Sequence, residues 1–301
     1  MRRLALVLTC LCSVVASAAA QDQGSLTPAP LPSLDNPADP KLPAKEVFGR
    51  AMTPIEAQVR SIGFYSRGCL AGAVALPVNG ESWQVMRLSR NRSWGNPAMI
   101  AFLERFSSKA AHEGIWRGIL VGDISQPRGG PMLTGHASHQ IGLDADVWLT
   151  PMPDHTLSDA ERENMSAIDM VKPDGLSVDP AHWSDKQVGV IKAAAEEPEV
   201  ERIFVNPAIK KALCETAKGE AWMHKVRPYW GHNYHFHIRI SCPPGQTDCQ
   251  SQEPVPPGDG CDKTLDWWFT EEALHPPLSA PKPPLTLAQL PAACRTVVLE
   301  K

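Results

Sequence analysis

Apolar and polar positions alternate with period two over two stretches of the chain, Ile141 to Leu149 and Tyr234 to Ile240, the pattern of half-buried β-strands. In the first, Ile141, Leu143, Ala145 and Val147 take one face and Asp144, Asp146 and Trp148 the other. In the second, Tyr234, Phe236, Ile238 and Ile240 are expected to point into the core. That leaves His235 and His237 sharing the opposite face.

A different rhythm follows Asn96-Pro97. Met99, Phe102, Leu103, Phe106 and Ala110 recur at helical spacing, and an asparagine N-cap with proline in the first turn marks where that helix begins. Asn206-Pro207 repeats the signal and predicts a helix reaching about Lys218. The short apolar runs Ile119-Leu120-Val121 and Ile203-Phe204-Val205 read as buried parts of strands. No internal repeat is visible. This mixture predicts an α+β fold: a single domain on a small antiparallel sheet, flanked by helices and proline-rich arms.

Composition sets the arms. Residues 21–45 hold Pro28, Pro30, Pro32, Pro37, Pro40 and Pro43 with little apolar periodicity, which predicts an extended N-terminal arm. Residues 46–241 form the expected core, and 242–301 a proline-dense tail poor in regular structure and tethered by disulfides. Ahead of the arm, Met1-Arg2-Arg3, an apolar run from Leu4 to about Val15 and Ser17-Ala18-Ala19-Ala20 make residues 1–20 a secretory signal peptide. A lipoprotein acylated at Cys10 or Cys12 would have an unusually short apolar segment before the modified residue. No later run approaches the roughly 20 apolar residues of a membrane span, so no membrane insertion is expected after the leader is removed.

Without the leader, six cysteines remain: Cys69, Cys214, Cys242, Cys249, Cys261 and Cys294. An even number in an exported chain, with no C-x-x-C pair, predicts three disulfides, although six cysteines allow 15 connectivities. Charge narrows the partners. The chain has 29 basic and 33 acidic residues, and loss of Arg2 and Arg3 makes it more acidic still, which argues against nucleic acid or an anionic membrane.

Five of the ten histidines fall in two segments, Gly135-His136-Ala137-Ser138-His139 and Gly231-His232-Asn233-Tyr234-His235-Phe236-His237. Asp146 lies on the polar face of its strand, a loop's reach from His139. Two imidazoles and a carboxylate, with a fourth position open, are what catalytic zinc usually receives from a protein. Calcium and magnesium prefer more oxygen ligands. Taken singly the pieces are ordinary: an H-x-H pair is common, His136 and His139 could be loop residues, and Asp144 or Asp146 could sit in a turn or salt bridge. Their joint occurrence points to metal chemistry.

His139, six intervening residues and Asp146, followed later by His235-x-His237, resemble the zinc peptidase superfamily of D-Ala–D-Ala carboxypeptidases, lysostaphin-like endopeptidases and the sonic hedgehog domain. The wider wording is more particular. Gly122-Asp123-Ile124, Gly129-Gly130, Arg202-Ile203-Phe204-Val205-Asn206-Pro207 and Lys225-Val226-Arg227-Pro228 look like the penicillin-insensitive murein endopeptidases, over roughly Cys69 to Cys294. The resemblance implies His139, Asp146 and His237 as zinc ligands, with His136 beside them among the metal-binding positions. It implies that His235 assists catalysis and that His232 is a further active-site histidine.

An Asp-Gly-x-His element of the family, thought to hold further metal, corresponds here to Asp174-Gly175-Leu176-Ser177. Serine is a poor zinc ligand, so one zinc is expected, and Asp174, the candidate for an additional site, reads better as a turn residue. The resemblance also implies the pairs Cys69–Cys294, Cys214–Cys261 and Cys242–Cys249. His112, His155, His182, His224 and His275 lack such a context and are expected on the surface or in packing, while Trp230 is expected near the substrate.

The implied activity is hydrolysis of the amide between D-alanine and meso-diaminopimelate in crosslinked peptidoglycan, in the periplasm. Without a serine nucleophile it would be insensitive to β-lactams. A zinc D-Ala carboxypeptidase would use the same metal set. A non-catalytic wall-binding protein with a structural zinc is a different class, against which His235 weighs. Homodimerisation is left open.

Overall fold

Asn96 and Asn206 each turn extended backbone into helix by the same device. The Asn96 side chain accepts from the Ala98 N–H at 3.0 Å, and Asn206 from Ala208 at 2.9 Å. Such caps are worth about 1 kcal/mol each. The computed structural model describes residues 23–277 and 282–300, so the leader expected over 1–20 lies outside them.

In chain order, helix α1 (Ala44–Phe48) precedes strands β1 (Arg60–Phe64), β2 (Arg67–Ala71), β3 (Val74–Ala75), β4 (Trp83–Val85) and β5 (Trp94–Gly95). Helix α2 (Pro97–His112), strands β6 (Ile119–Val121) and β7 (Asp144–Pro151), and helices α3 (Asp159–Asn164) and α4 (Asp185–Ala195) follow. Then come β8 (Val200–Val205), α5 (Pro207–Ala217), β9 (Val226–Pro228), β10 (His235–Ile240) and three short helices, α6 (Lys263–Asp266), α7 (Glu271–Leu274) and α8 (Ala292–Leu299).

The fold is α+β, as the pattern predicts. Its main sheet has six strands in the order β4-β6-β7-β10-β8-β9. The central strands are antiparallel, and a parallel pair closes each edge, β4 with β6 and β8 with β9. Two small hairpin sheets, β1-β2 and β3-β5, lie outside it.

The period-two reading holds for both central strands. Phe236, Ile238 and Ile240 of β10, with Ala145, Val147 and Leu149 of β7, join the main core against α2, α4 and α5. Phe106 of α2 packs edge-on against Phe236, with centroids 6.4 Å apart. Two details differ. Strand β7 starts at Asp144 rather than Ile141, because Gly142 takes φ +70°, where a Cβ would lie 2.5 Å from a Leu70 methyl and 2.7 Å from the Asn96 nitrogen. Tyr234 precedes β10 and is only partly buried, so its ring is not in the core. The polar faces are also closed rather than half-exposed, with all six residues of β10 buried.

A second hydrophobic cluster joins the two ends of the chain. Val47 and Phe48 of α1, Ile62 and Ala71 of the first hairpin, and Leu290, Val297 and Val298 from the C-terminal end surround the Cys69–Cys294 disulfide. Cys214–Cys261 and Cys242–Cys249 complete the three bonds. The proline-dense tail is thus less irregular than its composition predicts, since α6, α7 and α8 lie in it and α8 buries Cys294, Val297 and Val298. Among the described residues, no helix is long and apolar enough to cross a membrane.

Candidate active site

The antiparallel register of β7 and β10 puts His237 directly opposite Asp146, His235 opposite Trp148 and Arg239 opposite Asp144. Opposed side chains in such a ladder have Cβ atoms about 4.5–5.5 Å apart, close enough to share an atom. His139 comes from the loop before β7. Its left-handed backbone, φ +66°, is unusual for histidine and costs on the order of 1 kcal/mol. Asp144 stabilises that turn by accepting the His139 backbone N–H at 3.0 Å.

Hydrogen bonds orient each ring. The His139 Nδ1–H donates to the Ile124 carbonyl at 2.7 Å, so its Nε2 lone pair faces inward. The His237 Nε2–H donates to Asp144 Oδ1 at 2.8 Å, turning the Nδ1 lone pair inward as well. These tautomers follow from the partners. His139 Nε2 and His237 Nδ1 then stand 3.1 Å apart, each facing Asp146 Oδ1, at 3.4 Å and 3.3 Å. That oxygen is buried and has no hydrogen-bond donor. Two lone pairs and an anionic oxygen crowded together repel one another unless a cation lies between them.

A metal ion fits the gap. Tetrahedral ligands bonded at about 2.0–2.1 Å are separated from one another by about 3.3–3.4 Å, and the triangle here has edges of 3.1, 3.3 and 3.4 Å. His136 offers a second grouping, since one atom each of His136, His139 and Asp146 lies within 4.8 Å of the others. The His136 Nε2, however, is 3.0 Å from Asp123 Oδ2 and 3.4 Å from Asp146 Oδ2. A nitrogen between two carboxylates is best satisfied as an N–H donor. The triangle with His237 therefore fits a metal better than the one with His136.

His235 Nε2 lies 3.6 Å from Asp146 Oδ1, and its Nδ1 is buried without a partner. Burial first, then neighbouring imidazoles, push its pKa below the ordinary histidine value against the pull of Asp146. That favours its neutral form. His232, partly exposed, is 5.0 Å from His235 between ring centroids, and its Nδ1–H donates to the Trp230 carbonyl at 2.9 Å. Burial also lowers its pKa, followed by the neighbouring His235 and His237 imidazoles, which disfavour a second positive charge. For His237 burial is outweighed by Asp144 and Asp146, which raise its pKa.

The structure thus gathers His136, His139, Asp146, His235 and His237, with His232 alongside. Asp174 takes no part in these contacts. Its carboxylate accepts from the Leu176 N–H at 2.9 Å beside Gly175 in an exposed turn. Three contributors were not singled out as site residues in the sequence, although a salt bridge was one reading of Asp144 and it does pair with Arg239. Asp144 is fully buried, and burial alone would raise its pKa, but the Arg239 guanidinium and His237 hold it below the usual carboxylate range. Asp123 is likewise held down against burial by His136, Arg92 and Arg90. Tyr234, with Gly122, Asp123, His136, Asp146 and His235, lines the small cleft that opens on the cluster. The placement of Asp123 in Gly122-Asp123-Ile124 and of Asp144 two residues before Asp146 was the available signal, but apart from His136 and the His139 N–H their donors lie at least 31 positions away in the chain.

The family model described as penicillin-insensitive murein endopeptidase matches residues 61–299. A protein of that name from Haemophilus influenzae is 45% identical over 244 residues, covering 81% of this chain and 84% of its own. Those from Klebsiella pneumoniae and Yersinia enterocolitica are each 41% identical, over 82% and 81% of this chain and 89% and 87% of theirs. The chain belongs to the penicillin-insensitive murein endopeptidase family.

Proposed function

We propose that this family member is an exported zinc-dependent endopeptidase that hydrolyses D-alanyl–meso-diaminopimelyl crosslinks of peptidoglycan in the periplasm. The observation that carries the reading is the triangle of His139 Nε2, Asp146 Oδ1 and His237 Nδ1, with edges near those of a tetrahedral zinc site. Two imidazoles and one carboxylate suit zinc better than a hard cation. The names of the relatives supply the substrate class, murein.

In this reading His139, Asp146 and His237 hold a single zinc ion, which when bound would polarise the scissile carbonyl and acidify water. His235, its neutral form favoured by burial and its ring beside the cluster, has a ring nitrogen able to take a proton from the attacking water or to donate to the developing oxyanion. His232 stands behind it, fixed by the Trp230 carbonyl, and orients His235 or touches substrate. His136 donates between Asp123 and Asp146 and keeps the Asp146 carboxylate turned toward the imidazoles. No serine takes part, which accounts for indifference to β-lactams.

The test is digestion of purified crosslinked muropeptide dimers. Dimers should be split to monomers, the activity should vanish with a chelator, and zinc should restore it. Activity that survives exhaustive chelation would falsify the metal reading. Free D-alanine released from pentapeptide monomers, with dimers left intact, would replace the endopeptidase by a carboxypeptidase. Zinc binding without either product would leave only a wall-binding protein.

A further inference from the structure

Surface aromatics on this protein are gathered in one place. Among the described residues, Tyr229, Trp230 and Trp267 are the only Phe, Tyr or Trp side chains that are exposed, at 48%, 44% and 41%. They come from two segments, the turn after β9 and the stretch between α6 and α7, yet their rings touch. Tyr229 and Trp230 lie 5.8 Å apart between centroids, and Trp230 and Trp267 5.7 Å. Trp268 packs against both tryptophans, at 4.6 Å and 5.2 Å. The Trp230 indole N–H is fixed by donating to the Ala273 carbonyl at 2.9 Å.

This platform is continuous with the candidate active site. Tyr229 is 5.8 Å from His232, and His232 is 5.0 Å from His235. A row of rings therefore runs from the histidine–aspartate cluster out to Trp267. Apolar surface left in water forgoes about 25 cal/mol per Å² of burial. A contiguous apolar patch, enriched in Trp and Tyr, is the usual mark of a binding surface.

We propose that Tyr229, Trp230 and Trp267 form a saccharide subsite that holds the glycan strand beside the point of peptide cleavage, an inference that rests on the peptidoglycan reading above. A pyranose ring has a flat face of C–H bonds that stacks on an indole or phenol ring while its hydroxyls stay at the rim in water, the same amphipathic match that suits Tyr and Trp to half-wet sites. Stem peptides offer short methyls and carboxylates instead. Exposed Asp266, Glu271 and Glu272 lie along the tryptophan segment and outnumber its exposed cations, Lys263 and Lys211, the latter over the Phe269 ring, so the balance of charge disfavours a carboxylate-rich peptide or an anionic lipid surface while leaving a neutral sugar unaffected. Because Trp230 is already held, stacking requires little further ordering.

The experiment is calorimetric titration of the full-length protein with two probes: a neutral tetrasaccharide of β-1,4-linked N-acetylglucosamine, and a crosslinked stem-peptide dimer free of sugar. The wild type should bind the tetrasaccharide. Trp267→Ala and Tyr229→Ala should each weaken it tenfold or more with an unchanged unfolding midpoint, and Trp267→Phe should restore part of the loss. Absence of saccharide binding by the wild type, or unchanged affinity in the alanine variants, overturns the proposal. So does a Trp267→Ala defect that falls equally on the sugar-free dimer, which would seat the peptide there. Binding requires no hydrolysis, so a protein that binds sugar but splits no crosslink would sink the peptidase reading and leave this one standing.

Discussion

Replacing Asp144 by asparagine separates a residue that aims the site from one that merely fills it. The carboxylate accepts three hydrogen bonds: Oδ1 from His237 Nε2 at 2.8 Å and Arg239 Nε at 2.7 Å, Oδ2 from the His139 N–H at 3.0 Å. Asparagine keeps the volume but has one acceptor oxygen and one donor amide. Whichever way it turns, an N–H must face another N–H. A lost bond to a charged acceptor is worth about 1.5–3 kcal/mol, and stripping a buried ion of its partner about 3–5 kcal/mol. Arg239 is only 5% exposed, and its side chain would be left with Gln252 Oε1 at 2.7 Å and the Tyr65 ring at 4.1 Å. These costs share groups and do not add, so the metal-free protein should lose on the order of 3 kcal/mol. His237, no longer held, should cost metal affinity about tenfold to a hundredfold, the usual effect of removing an orienting partner. Denaturant unfolding of the metal-free protein measures the first quantity, and competition with a chelator of known affinity the second. A folded Asp144→Asn protein that takes zinc as tightly as the wild type would refute the reasoning, whatever its stability.

Further outcomes are expected. His235→Ala should lower kcat by about a hundredfold to ten-thousandfold while zinc content stays full; unchanged turnover removes His235 from the chemistry. Disulfide loss should scale with the loop closed. From separations of 225, 47 and 7 residues, chain entropy gives about 5, 4 and 2 kcal/mol for paired Cys→Ala variants, and a reversed order in denaturant melts would contradict the entropic account. Lys210 is buried beside Arg227, and burial first, then that charge, bring its pKa down to about 7. Between that value and the ordinary lysine range the unfolded chain holds a proton the folded one lacks, so stability should rise with pH across this window. The stability difference between wild type and Lys210→Met should follow the same slope; a flat difference rules out Lys210 as its source. Zinc affinity should also rise with pH, because Asp144 and Asp146 favour a proton on His237 that the ion must displace.

Local physics made parts of this molecule readable in advance. Alternation along Phe236, Ile238 and Ile240 gives the buried face of β10 and with it the shared direction of His235 and His237, because strand periodicity needs no knowledge of neighbours. Asn96-Pro97 and Asn206-Pro207 announce their helices through a bond only two residues long. What escaped depends on partners distant in sequence. Asp144 is one polar residue in an alternating strand until Arg239 and His237, 95 and 93 positions later, are seen to donate to it. The two-residue strands β3 and β5 are too short to show a period. Tyr234 fits the alternation by position, but the strand begins one residue after it, so its ring follows the turn instead. The aromatic platform joins residues 37 positions apart, and neither segment is distinctive alone.

The ladder that sets His237 against Asp146 has a consequence for how such an enzyme can diversify. Backbone bonds between two interior strands set the bite of His237 and Asp146, and His139 alone comes in from a loop. Lengthening the connections that follow β7 or precede β10 leaves that bite alone, whereas one residue inserted within either strand would turn a ligand to the far side of the sheet. Recognition of the polymer can therefore drift in the surrounding segments while the hydrolytic centre stays frozen.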